Sequence, residues 1–343
     1  MRLALAISSL IVCAARLSAQ WTIQTSGTTA EFRGLDAVSS KVAWAAGKGG
    51  IVAKTKDGGR TWQADSIAGA GGLFLIAVHA IDQRRAWVLG TAFSGASMAR
   101  IYHTEDGGST WKVQYESTAK GVFFDGMAFW DEKRGIAFGD PMEQRFPILL
   151  TENGGARWAV YPPASLEPAL PGEAAFAASG TAITVFGERD VWIGTGGGSH
   201  ARVFHSGDGG ATWEAFETAA AGGSAKGIFG IAMGSLRQGV AVGGDYQQRE
   251  ASAENLLITG DGGHTWRIAS SPGLTGVQYG VATAGEQSYV AVGPTGSSIS
   301  RDGGTSWTRL DGPGFNTVSC PPRSGLCWAA GEQGRIARMS TRP

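Results

Sequence analysis

From Phe32 onward, apolar and polar residues either alternate with a period of two or run as short apolar stretches, and no segment carries the stripe of a helix long enough to pack. The pattern predicts strands. In the first unit, Phe32-Arg33-Gly34-Leu35-Asp36-Ala37-Val38 reads as one strand, residues 42–47 as a second and residues 50–55 as a third, and a fourth starts at Trp62 after an Asp-Gly-Gly turn. Glycine supplies the positive φ angles of that turn, and the Asp carboxylate accepts hydrogen bonds from amides that have no ladder partner.

The turn phrase recurs six times, with Asp57, Asp106, Asn153, Asp208, Asp261 and Asp302 each followed by Gly-Gly and, after two more residues, by Trp62, Trp111, Trp158, Trp213, Trp266 or Trp307. Thr or Ser stands two positions before each: Thr55, Thr104, Thr151, Ser206, Thr259 and Ser300. The tryptophans are spaced by 49, 47, 55, 53 and 41 residues, the period of propeller blades rather than of most solenoid repeats. The last unit, from Phe315 to Ser340, stops where a turn should follow, and the segment Trp21-Thr22-Ile23-Gln24 resembles the strand that comes after such a turn. Together they make one blade. The fold class is therefore all-β: a seven-bladed β-propeller over residues 20–343, its ring closed by an N-terminal strand that completes the C-terminal blade and removes the sheet edges. A six-bladed ring with a free end is the alternative.

Composition narrows the reading. Of 343 residues, 54 are Gly and 12 are Trp, so a large core is available and a helical bundle is disfavoured, since Gly costs about 1 kcal/mol in a helix interior. Charge balances at 29 basic and 29 acidic residues without a Lys/Arg run, which leaves no footprint for nucleic acid or an anionic membrane. Residues 1–19 read as a secretory signal: Met1-Arg2, an apolar stretch from Leu3 to Ala15, and Leu17-Ser18-Ala19 before the cut. A retained anchor is the alternative, and a lipoprotein at Cys13 is disfavoured by bulky Ile11 and Val12. The mature chain is expected to be exported, periplasmic or extracellular, with no membrane span and as a monomer. Cys320 and Cys327 then suit a disulfide across a hairpin loop, free thiols being the alternative.

The repeated phrase matches the Asp-box of sialidases, sortilin-type receptors and other propellers. With Trp-Ala-Ala-Gly (residues 44–47) or Val-Ala-Val-Gly (residues 290–293) in the second strand, the fuller pattern resembles the plant photosystem II stability/assembly factor family and its bacterial relatives over most of residues 21–343. Phe32-Arg33-Gly34-Leu35 is similar to that family's Arg-Gly segment. The resemblance implies a propeller that holds a protein partner during assembly rather than a catalyst, with no cofactor and no metal.

The Asp-box residues read as structural, because six equivalent turns serve ring stability and no single ligand could touch them all; a calcium role is the alternative. The opposite face differs. From the second-strand glycine to the box residue the distance is 10 and 9 residues in the first and sixth units but 16, 14, 14 and 18 in the second to fifth. Repeat proteins commonly place binding insertions this way. Arg33 and Asp125 fall on first strands, which line the channel, where a buried charge is costly unless paired. They are expected to join Asp140, Arg145, Arg202 and Asp245 from the enlarged loops in a charged cluster at the mouth, with Tyr246 and Tyr279 as candidate members. Separate solvated charges and local hairpin staples are the alternative.

Three functions follow from these residues. A secreted, non-enzymatic propeller binding a protein partner leads. A sialidase-type glycoside hydrolase, with carbohydrate as ligand, would use Arg33, Arg145, Arg202, Tyr246 and Asp140, but the Arg-Ile-Pro signature is absent. A cofactor-dependent oxidoreductase lacks a Gly-x-Gly-x-x-Gly after a strand and a metal-ligand cluster, and no Gly-x-Ser-x-Gly elbow supports a Ser/His/Asp hydrolase.

Overall fold

The computed structural model describes residues 20–161, 165–270 and 272–342, and the expected signal segment lies outside them. Seven four-stranded antiparallel sheets form a β-propeller. The innermost strands of blades 1 to 7 are Phe32–Ala37, Phe74–Ala80, Phe124–Phe129, Ile183–Phe186, Lys226–Met233, Gly280–Gly285 and Thr317–Ser319. Blade 7 takes its outer strand, Thr22–Thr25, from the start of the described chain, paired antiparallel to Arg335–Ser340 with Thr22 opposite Arg338. Trp21 docks beside it: its indole donates to Ser297 Oγ at 2.7 Å, bridging to blade 6.

The six Gly-Gly pairs all have positive φ, as at Gly58 (80°) and Gly59 (82°), which is why no other residue type fills these turns cheaply. One hydrogen-bond pattern repeats around them. In blade 1, Thr55 Oγ1 accepts from the Gly59 amide (2.9 Å) and donates to Asp57 Oδ1 (3.0 Å). Asp57 Oδ1 also accepts from the Thr61 amide (3.0 Å), while Oδ2 accepts from its hydroxyl (2.7 Å). Blade 3 departs from the pattern in a matched way: Arg157 replaces the hydroxyl donor, and Asn153 replaces the carboxylate that would have received it, its Oδ1 keeping the bonds from the Arg157 amide (2.9 Å) and the Thr151 hydroxyl (3.1 Å).

These bonds favour the ionised carboxylate. The Thr61 amide and hydroxyl hold Asp57 at about 2, the Thr110 hydroxyl and amide hold Asp106 at about 2, and in Asp261 partial burial is outweighed by the Thr265 hydroxyl and amide, giving about 2. An unfolded Asp titrates near 3.9. The folded chain therefore gains stability from these groups above about pH 4 and loses it as the pH falls toward about 2. The thermal unfolding midpoint, followed by circular dichroism, should drop across that window, and Asp57→Asn should flatten part of the drop; a midpoint constant from pH 5 to pH 2 would refute the account.

The core lies between blades. Tryptophans on second strands, Trp44, Trp87, Trp192 and Trp328, are at most 2% exposed. Several reach the following blade: the Trp87 indole donates to Gly154 O at 3.0 Å and the Trp192 indole to Gly262 O at 2.8 Å. The tryptophans after the turns face the other way. Trp213 packs on Ile136 and Phe138 of blade 3, and Trp307 on Val240 and Ile258 of blade 5. Trp111 and Trp62 do the same, meeting Trp44 of blade 1 and Gln24 of blade 7, so these side chains close the gap to the preceding blade. Cys320 and Cys327 are bonded, S–S 1.99 Å.

Candidate functional site

Near the start of four inner strands the register to the second strand slips by one residue, at Phe32/Gly34, Leu75/Ala77, Phe124/Gly126 and Ile228/Gly230. The extra residue of such a bulge leaves the ladder and its side chain is re-aimed; here the residues concerned are Arg33, Ile76, Asp125 and Phe229. The glycine that follows Arg33, Asp125 and Phe229 permits close approach by the next strand, whereas Ala77 follows Ile76. A Cβ on Gly34 would stand 3.0 Å from the Ala77 carbonyl carbon, and one on Gly126 would stand 2.7 Å from Ile183 Cγ2.

Arg33, Asp125 and Phe229, with Tyr279 ahead of the blade 6 strand, line a cavity of about 330 Å³ at the face that carries the enlarged loops. Aromatic groups dominate its wall, Phe93, Phe123, Phe176 and Tyr246 completing the set. Phe176 packs on Phe229 (4.7 Å between centroids), and Phe93 on Phe123 (5.0 Å). Phe93 and Tyr246 are 49% and 40% exposed, so they form a rim with apolar surface still free.

The cavity is a cup, because the segment from Ala174 to Thr181 crosses the channel below it. The Gly180 amide donates to Arg33 O of blade 1 (3.2 Å), Ser179 Oγ donates to Tyr279 O before blade 6 (2.8 Å), and Thr181 O accepts from Ile231 of blade 5 (2.9 Å). One strand of chain thus ties three other blades together and plugs the hole. Ala175 to Ala178 floor the cup, whereas Gly180 and Thr181 line a second opening at the far face.

Charges in the cup fall into two groups. Arg33 Nε donates to Glu31 Oε1 at 3.1 Å, its Nη1 to Ala177 O at 2.8 Å, and its guanidinium covers the Phe74 ring at 4.7 Å. Arg249 approaches Glu332 at 3.8 Å. These two cations are paired. Asp125 and Asp140 have no cationic partner: Asp140 Oδ1 accepts only the Ala175 amide (2.9 Å), and neither oxygen of Asp125 accepts a hydrogen bond, the nearby Asp140 amide being taken by Phe123 O (2.9 Å). Asp125 is 1% exposed. Burial, then the charge of Asp140, pushes its carboxyl well above the usual range, against a smaller opposing influence of the nearby Asp140 amide; burial raises Asp140 to about 6 against the Ala175 amide.

Of the charged cluster expected at the mouth, Arg33, Asp125 and Asp140 come together with Tyr246 and Tyr279, while three members do not. Arg145 is exposed beside a tight loop tip, where Glu143 and Gln144 take φ of 51° and 66° and the Arg145 amide bonds Met142 O. Asp245 braces its own turn, accepting from the Gln247 amide at 2.9 Å. Arg202 is buried inside blade 4, where its Nε and Nη2 both bond Glu173, its Nη1 reaches Glu167 at 3.0 Å and its ring partner is Phe204 at 4.7 Å. The buried acid Glu173 explains this placement, since its charge away from water calls for a cationic partner, and a guanidinium reaches both of its oxygens. Three converging arginines, as a sialidase-type site would require, are therefore not assembled here.

Glu31, Phe93, Phe176, Phe229, Arg249 and Glu332 were not singled out from sequence. Phe229-Gly230 repeats the signal of Arg33-Gly34 and Asp125-Gly126, and could have been found by aligning the inner strands; the loop residues carry no such signal.

No protein-family model and no curated protein sequence matches the chain. Among solved structures it is similar to "YCF48 bound to D1 peptide", with 13% identity and a TM-score of 0.66 over 96% of this chain and 100% of that one. It is also similar to YCF48 from Cyanidioschyzon merolae, with 18% identity and a TM-score of 0.63 over 94% and 99% of the two chains. A GH74 xyloglucanase from Xanthomonas campestris gives 16% identity and a TM-score of 0.66, over 94% of this chain but 54% of the enzyme. At such identities the likeness shows the propeller fold alone.

Proposed function

We propose that the chain is a non-enzymatic binding propeller whose cup receives a segment of a protein partner. The observation that carries this reading is the dead-end, aromatic-walled cavity on the face with enlarged loops. A volume of about 330 Å³ suits one or two side chains rather than a folded surface, and exposed rim aromatics are the residues that dominate peptide and protein interfaces. A propeller of the same fold described as bound to a peptide supports the mode of use. The Cys320–Cys327 disulfide supports an oxidising compartment, and with it export of the chain.

The test is a displayed peptide library selected on the full mature chain, with the selected peptides titrated against a Phe93→Ala/Tyr246→Ala variant. Both side chains are exposed, so the ring should remain intact. Binding should weaken by about tenfold or more, the usual cost of removing an interface aromatic anchor. Equal affinity for the variant, or a selection that yields no binder, would overturn the reading.

A further inference from the structure

Two acids line the bottom of the cup, and of their four carboxyl oxygens only Asp140 Oδ1, which accepts the Ala175 amide, is engaged in holding the fold. Asp125 sits at a bulge that aims it at the cavity, is 1% exposed, and has both carboxylate oxygens unbonded. Beside it, Asp140 keeps Oδ2 free of any protein donor, and both cations in the cup are held by other acids, Arg33 by Glu31 and Arg249 by Glu332. A buried carboxyl without donors costs stability. A fold that required only an inert wall would gain from an apolar residue here, as blade 2 has in Ile76 and blade 5 in Phe229 at the equivalent bulges.

We infer that Asp125 and Asp140 form the recognition point for a guanidinium group, the end of an arginine side chain carried by the partner. Three features select that chemistry. A planar fork presents several donors at fixed spacing and can serve two neighbouring carboxyls at once, whereas an ammonium is a single point. Phe123 and Phe176 line the same cup and offer ring faces on which a guanidinium stacks. Asp125 is also closed to bulk water, so the occupant must shed its hydration, which a guanidinium does more readily than an ammonium or a metal ion. On arrival of the cation the carboxyls ionise, and the proton held by the buried pair passes to solvent.

The inference rests on the cup being a binding site and names what it reads. The probe is N-acetyl-arginine amide, titrated calorimetrically into the mature chain at pH 7 alongside the uncharged isostere N-acetyl-citrulline amide and N-acetyl-lysine amide. Arginine amide should bind about tenfold or more tightly than either analogue, with an enthalpy that differs between phosphate and Tris buffers because a proton is released. Asp125→Asn, which removes the charge at nearly constant volume, should abolish both the preference and the buffer dependence. Equal binding of arginine and citrulline amides, or an unchanged preference in Asp125→Asn confirmed folded by its thermal midpoint, would overturn the proposal. Failure here with library peptides still bound at the rim would remove the guanidinium and leave peptide binding; arginine amide bound with no peptide selected would do the reverse.

Discussion

Replacing Arg202 with alanine should lower stability by about 3–5 kcal/mol, the loss expected when one member of a buried ion pair is removed and the other is left uncompensated. Glu173 is the member left behind. Its side chain has no exposure, and besides Arg202 it holds the Thr195 hydroxyl at 2.6 Å and the Leu170 amide at 2.8 Å. Arg202 in turn supports Pro168 O at 2.9 Å. The pair therefore nails the irregular connection ahead of Ala174 to the third strand of blade 4, and the crossing segment is anchored just downstream of it. Differential scanning calorimetry should show a clearly lowered midpoint for Arg202→Ala, and amide exchange should quicken at Ser179 and Gly180. Arg202→Met combined with Glu173→Leu, which leaves no lone charge, should lose much less than either single change. A single variant within 1 kcal/mol of the parent would show that the pair is not a structural tie.

Removing residues 20–25 should have an effect of similar or greater size. The deletion strips the outer strand from blade 7 and leaves Arg335–Ser340 with an open edge, a template for pairing with other chains. It also takes away Trp21, 6% exposed against Leu310 and Phe315, and Gln24, whose Oε1 accepts the Trp62 indole of blade 1 at 2.9 Å. Trp21→Ala alone should cost about 3–5 kcal/mol, as for other buried tryptophans. The truncated chain should elute as aggregates on size exclusion and lose a cooperative transition. A monomeric truncated ring with an unchanged midpoint would contradict this.

Blade count and ring closure were legible because they depend on repetition: the same turn needs Gly-Gly at positive φ and a hydroxyl two positions before the acid, so each copy declares itself. The candidate site was legible only where it touches that repetition. Arg33 and Asp125 stand before the inner-strand glycine, and their direction follows from strand geometry. Arg202 was misplaced because its direction depends on Glu173, 29 residues earlier on an irregular connection. Which of two polar loop residues turns inward is set by a partner that has no fixed spacing, and periodicity is silent about that. Nor does periodicity tell which blade the tryptophans after the turns will meet, since a strand's period gives its two faces but not their neighbours.

The chain that crosses the channel at Ser179–Thr181 decides how any partner can come and go. A ring open from end to end could be strung along a polypeptide like a bead and move over it. This one cannot. A segment bound in the cup as proposed would enter and leave by the same door, so that a terminus or a protruding side chain would be read whatever the length of the chain behind it, and the partner would be released without being unthreaded.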